Sequence, residues 1–195
     1  RSSRNNILHN KLDFNVRGYS HGFYNRGQDS AGILIFEQSN DNVFAYNSVT
    51  HGGDGFFLWA GQTTMDTGAG GCNNNYVYKN DFSYAPTNGV EITFSKNNIL
   101  ENIIKECDHG IWGGYSWKTS IYGNQFYKNR IGIAIEHGQH INISGNTFDS
   151  NKQAAIKIWA RNSQPADWGY AQKRNTKSMN YSFWKNRFKN ENTAF

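Results

Sequence analysis

Four side chains carry groups suited to acid–base chemistry, and their spacing is regular. Glu91 and Glu136 are the second and fourth residues after a glycine, in "GVEIT" from Gly89 and "GIAIE" from Gly132. Lys157 is the second residue after Ala155 in "AIKIW", and His137 follows Glu136 in "IEHGQH". Two more acid–histidine pairs border segments of this kind: Asp108 with His109 in "CDHG", and His51 with Asp54 in "HGGDG". Two carboxylates can act as acid and base in glycoside hydrolysis. A base beside a cation that neutralises a carboxylate can take the proton next to that carboxylate. A histidine beside glycine in a turn also has a structural use as a capped residue. Which use applies depends on the elements that hold these residues.

Those elements read as strands. "GILIF" from Gly32, "GFFLW" from Gly55, "GVEIT", "GIWGG" from Gly110, "GIAIE" and "AIKIW" share one pattern. The first and third residues after the marker are almost always aliphatic or Phe, so they point one way and their neighbours the other. No ten-residue window keeps an amphipathic helical stripe free of Gly or Asn runs.

A second marker sets the period. "IYGNQFYKN" and "ISGNTFDSN" are one phrase repeated after 22 residues. Its central Asn recurs as Asn10, Asn47, Asn80, Asn102, Asn124, Asn146 and Asn186, with three successive intervals of 22 residues. Three residues before each stands Ile7, Phe44, Val77, Ile99, Ile121, Ile143 or Phe183; two residues after stands Leu12, Val49, Phe82, Ile104, Phe126, Phe148 or Phe188. Five after, Asn recurs as Asn15, Asn129 and Asn151, with Glu191 at that place in the last repeat. Short strands wound into a coil of that lap length put equivalent residues roughly 4.8 Å apart. Stacked apolar residues then fill the inside, and Asn suits the turns and can form hydrogen-bonded ladders. An antiparallel sandwich would give no such fixed recurrence.

The repeat resembles the right-handed parallel β-helix repeats of the pectin-lyase-like superfamily, including its NosD-like group, over nearly the whole chain. The resemblance implies an all-β, single-stranded right-handed solenoid of about six to seven rungs, forming one domain over residues 1–195. It implies a secreted or periplasmic carbohydrate-active protein, and it brings calcium in by likeness to pectate lyases, whose calcium lies on such a face. The sequence itself supplies no metal site: Asp54, Asp66, Asp81 and Asp108 form no ligand set by spacing, and no cofactor is expected. Neither the Asp-Pro-His-Asp tetrad of alginate C5-epimerases nor the paired Asp of polygalacturonases is present.

On such a coil the outward residues of the glycine-marked strands read Leu34, Phe57, Glu91, Trp112, Ala134, Lys157 in one column and Phe36, Trp59, Thr93, Gly114, Glu136, Trp159 in the next. Aromatic faces beside carboxylates suit a sugar chain, because pyranoses stack on Trp and acids bind hydroxyls. Trp59, Trp112, Tyr115, Trp159, Asp54 and His109 are therefore candidate substrate-binding residues, beside Glu91, Glu136, His137 and Lys157 as candidate catalytic ones. The other reading makes the tryptophans a satellite core beneath loops. Glu91 and Glu136 would stand roughly 12 Å apart at Cα, and Glu136 and Lys157 roughly 8 Å. The latter pair is either an exposed salt bridge or a uronate-directed base and cation. Three insertions lengthen the laps, over residues 16–31, 60–74 and 160–179; the last two follow the glycine-marked strand and should leave along one edge.

The chain has 195 residues and a net charge of +5, which suits an acidic partner. Three functions follow: a polysaccharide lyase or glycoside hydrolase, a non-catalytic glycan-binding or adhesion module, and, least favoured because positive charge is scattered, a nucleic-acid binder. No apolar run reaches membrane-spanning length and none reads as a signal peptide. Because the chain starts inside a repeat, "RSSRNNILHN", it is expected to be a piece of a longer precursor, with further repeats or caps over the coil ends. Cys72 and Cys107 lack metal-ligand spacing; the sequence leaves their pairing open, with two buried free thiols the favoured reading.

Overall fold

The computed structural model describes residues 1–15 and 30–194. Three parallel sheets wrap one core, and in each sheet the strands follow chain order. Seven three-residue strands, from Asn6–Leu8 to Ser182–Trp184, form the longest. Four more, from Ile103–Lys105 to Arg187–Lys189, form the second. The six glycine-marked strands form the third: Ala31–Phe36, Asp54–Trp59, Asn88–Ile92, His109–Trp112, Ile131–Glu136 and Ala154–Trp159. This is the parallel β-helix that the spacing predicts.

The register is that of the sequence markers. Ile7, Phe44, Val77, Ile99, Ile121, Ile143 and Phe183 pair in succession. So do Ile33, Phe56, Val90, Ile111, Ile133 and Ile156 on the glycine-marked strands. Nearly all are buried, apart from those on the end rungs. Phe126, Phe148 and Phe188 stack with ring centroids 4.9 and 5.1 Å apart, so the aromatic rings repeat at the rung spacing. Glycine marks the strand because the core Phe lies against it: a Cβ on Gly110 would stand 2.4 Å from the Gly132 carbonyl oxygen and 2.7 Å from Phe126.

Asparagine supplies the polar half of the interior. Each marker Asn donates from Nδ2 to Oδ1 of the next, from Asn10 through Asn47, Asn80, Asn102, Asn124 and Asn146 to Asn186. The backbone N–H of each donates to the same oxygen. A second ladder runs Asn5, Asn42, Asn75, Asn97, and a third joins Asn129 to Asn151. Glu191 continues the third, its Oε1 accepting from the Asn151 amide at 2.8 Å. The last repeat therefore keeps the place and changes the residue.

The corners between sheets sit in left-handed backbone, and the residues there align from rung to rung. One column runs His9, Tyr46, Lys79, Glu101, Gly123, Gly145, Lys185; another runs Phe94, Tyr115, His137. Two short helices, α1 (Gln62–Thr67) and α2 (Gly169–Lys173), lie inside the second and third insertions, where the sequence gives no helical pattern. Residues 16–29 of the first insertion lie outside the described residues. Cys72 and Cys107 are buried free thiols, and burial pushes the Cys107 thiol up to about 12. No helix among the described residues is long and apolar enough to cross a membrane.

The second ladder breaks at Thr119, whose hydroxyl accepts from the Asn97 N–H at 3.3 Å while Asn97 Nδ2 is buried with no partner among the described residues. Thr119→Asn extends the ladder and is expected to raise stability by about 1 kcal/mol in denaturant melts. Asn124→Ala removes the acceptor for Asn102 and the donor to the Ile99 carbonyl, and is expected to cost about 3 kcal/mol or more in the same measurement.

Candidate functional site

The outer face of the six-stranded sheet carries both predicted columns in register. Leu34, Phe57, Glu91, Trp112, Ala134 and Lys157 pair rung by rung. Phe36 pairs with Trp59, and Glu136 with Trp159. Leu34, Phe36 and Lys157 are exposed; Phe57, Trp59, Glu91, Trp112 and Trp159 are half-buried. Thr93, Gly114, Ala134 and Glu136 are buried. The face therefore has an open aromatic border and a covered middle. Trp112 and Trp159 lie 5.5 Å apart between ring centroids, His109 lies 5.3 Å from Trp112, and Phe36 lies 4.8 Å from Trp59. Lys157 Nζ stands 5.0 Å over the Trp159 ring.

At the strand entrance one hydrogen-bond chain reaches this face. Asp108 accepts from Arg130 through both oxygens, and Arg130 Nη2 donates to His109 Nε2 at 2.8 Å. That bond requires a lone pair on Nε2, so the proton of the neutral ring sits on Nδ1 and goes to Asn88 Oδ1 at 3.0 Å. The Asn88 amide in turn donates to Glu91 Oε2 at 3.0 Å. Buried Asp54 steadies the start of the same strand by accepting from the Asn88 N–H and the Thr87 hydroxyl. The Arg130 hydrogen bonds hold the Asp108 carboxyl below the usual range, and burial pushes the His109 imidazole down, helped by the charges of Arg130 and Lys157. Sequence reading missed Asn88 and Arg130, yet Arg130 stands 22 residues after Asp108. The period alone places it on the next rung.

At the strand exit the predicted residues meet the third insertion. Phe94, Tyr115 and His137 stack with centroids 4.8 and 4.7 Å apart, and Trp168 and Tyr170 close on Tyr115 edge-on. His137 Nδ1 donates to the Thr176 carbonyl, while Nε2 accepts from the Arg161 N–H at 3.0 Å and the Gln164 amide at 2.8 Å. Arg161 Nε donates to Glu136 Oε1 at 2.8 Å, and the Tyr115 hydroxyl donates to Gln164 at 3.1 Å. Burial pushes the Tyr170 hydroxyl up to about 12. The second and third insertions do leave along one edge and touch there. Arg174 Nε donates to the Gly68 carbonyl, and a Cβ on Gly169 would stand 1.8 Å from the Asp66 backbone carbonyl oxygen. Arg161 and Gln164 were not legible in advance, because the insertion carries no period; Phe94 was missed although it stands fifth after Gly89, as Tyr115 and His137 stand fifth after Gly110 and Gly132.

The four candidate catalytic residues thus fall into three places. Glu91 belongs to the entrance chain, Glu136 and His137 hold the loop, and Lys157 lies on Trp159. Among the described residues no three or more His, Cys, Asp or Glu side chains come together as a metal site.

Two outcomes test these assignments. His137→Phe keeps a ring against Tyr115 but loses three hydrogen bonds; amide exchange over residues 161–178 should quicken with little change in the coil's melting midpoint. A His with a folded pKa below 6.5 stabilises fully above its unfolded pKa, and that contribution is lost as pH falls through the folded value. Melting midpoints should therefore fall as pH is lowered below about 6.5, and fall less in His109→Gln.

The family model described as right handed beta helix region matches residues 1–166. No curated protein matches the sequence.

Proposed function

The chain belongs to the right-handed β-helix family, and on that scaffold we propose that it binds an extended acidic polysaccharide along the outer face of the six-stranded sheet. The observation that carries this reading is the line of exposed and half-buried apolar side chains from Leu34 and Phe36 through Phe57, Trp59 and Trp112 to Trp159. Six rungs give it a length of roughly 24 Å, enough for several sugar rings in a row. Trp59, Trp112 and Trp159 supply stacking faces. Lys157 offers a cation to a uronate carboxylate, and Glu91, oriented by Asn88, accepts from hydroxyls. Asp54 and His109 act by fixing Asn88. Tyr115, Glu136 and His137 hold the loop that walls one edge.

The reading is recognition rather than cleavage. Hydrolysis needs two carboxyl groups across one bond, and elimination needs an available base. Glu136 is ion-paired with Arg161, and the His137 lone pair is taken by Arg161 and Gln164. Polymers of this kind lie outside the cytoplasm, and the proposal sets the protein there, secreted or periplasmic.

Binding isotherms on acidic and neutral polysaccharides test it. Trp112→Ala should weaken binding about tenfold, equal to about 1.4 kcal/mol, and Lys157→Ala should weaken binding of uronate polymers only. Loss of no affinity in Trp112→Ala would overturn the groove. Unsaturated uronate absorbance or new reducing ends, abolished by Glu91→Gln, would replace recognition with catalysis at Glu91.

A further inference from the structure

We infer that a second binding site, for a small anion-bearing ring, lies beneath α2 and apart from the sheet face. A cavity of about 280 Å³ opens there between α2 and the corner that follows the glycine-marked strand. Its lining includes Lys118, His140, Lys173 and Arg174, together with the aromatic side chains of Tyr115, Trp117 and Tyr170. Among the described residues no Asp or Glu lines it. The nearby carboxylates are engaged elsewhere: Glu136 with Arg161, and Asp66 with the Gln62 amide.

The nitrogen donors approach from two sides. Lys118 and His140 occupy equivalent left-handed corner positions on adjacent rungs, with φ of 45° and 53°. Their backbones are tied to the neighbouring rung by Lys118 N–H to the Gln139 carbonyl and His140 N–H to the Met179 carbonyl. From the other side come Lys173, the last residue of α2, and Arg174 after it. Arg174 is held in place: Nε is bonded to the Gly68 carbonyl, and the guanidinium lies 5.2 Å over the Trp117 ring. Lys96 lies 5.4 Å over the same ring and adds to the local positive field. With Nε committed, the terminal amino groups of Arg174 are what it presents to an anion, in the fork that suits a carboxylate, sulfate or phosphate. The Tyr and Trp rings give the body of such a ligand an apolar wall.

By water's share of liquid volume the cavity corresponds to about nine water molecules. That is room for an inorganic oxyanion or one sugar unit, not for several linked units at once. The common chemistry is a negative group on a body of monosaccharide size or smaller, arriving free or as a charged unit on a larger chain. This site stands whether or not the sheet face binds glycan.

The test is calorimetric titration of the whole chain at low salt with inorganic sulfate, inorganic phosphate, glucuronate and an acidic polysaccharide. Lys118→Glu and Lys173→Glu place a charge of opposite sign at two exposed rim positions on different elements. Each should weaken binding of the small anions at least tenfold, with the melting midpoint unchanged, and Trp112→Ala should leave that binding intact. Small anions binding without the polymer mark a free ligand; polymer binding that shares the Lys118 and Lys173 dependence marks a charged unit of a chain. Absence of saturable binding by all three small anions would overturn the site, as would affinity unmoved by both charge reversals. Binding abolished by Trp112→Ala would assign the anions to the sheet face and overturn it too.

Discussion

The structure depends on keeping backbone polar groups satisfied inside a coil that turns every few residues. Strands of three to six residues leave many N–H and C=O groups at the corners, where a sheet ladder alone does not close them. The buried Asn ladder meets that need. Within the longest ladder an interior amide accepts two donors from one neighbouring rung and donates both to the other neighbour's Oδ1 and to a core-residue carbonyl, as Asn102 does with Asn124 Oδ1 and the Val77 carbonyl. Because every Asn must face its equivalent, the ladder also fixes register. A slip of one residue would leave buried amides unpaired and would turn each strand's apolar side outward.

Register then spreads to every other column. Phe stacks on Phe inside, and the corner residues stack outside, as Phe14, His51 and Tyr84 do at 4.8 and 4.5 Å. Left-handed backbone is costly for a residue with a side chain. It persists here at corner after corner because the rung-to-rung hydrogen bonds around it hold the conformation. The repetition also makes the outside useful: any residue type placed at one column position becomes part of a straight row.

The outer face of the six-stranded sheet is such a row with two different ends to its strands. The entrance is built by the repeat itself, through residues one rung apart. The exit is built by an insertion that lands on the repeat, capping Phe94, Tyr115 and His137 with Trp168 and Tyr170 and drawing Arg161 onto Glu136. The same insertion, packed on α1, roofs the cationic cavity. A periodic scaffold thus obtains local concavity only where the period is interrupted.

That division explains what the sequence by itself determined. The coil, its lap length, the inward residues, the outward columns and the shared edge of two insertions all follow from recurrence, since in-register stacking maps sequence spacing directly onto distance. The Asp108–Arg130 contact was legible by the same rule. Only the tertiary structure decided that Glu136 and His137 hold a loop, that Trp168 and Tyr170 pack against a ring stack, and that Lys173 and Arg174 descend on Lys118 and His140. Those contacts join residues of an aperiodic segment to the coil, and no interval in the sequence encodes where a loop of twenty residues comes to rest.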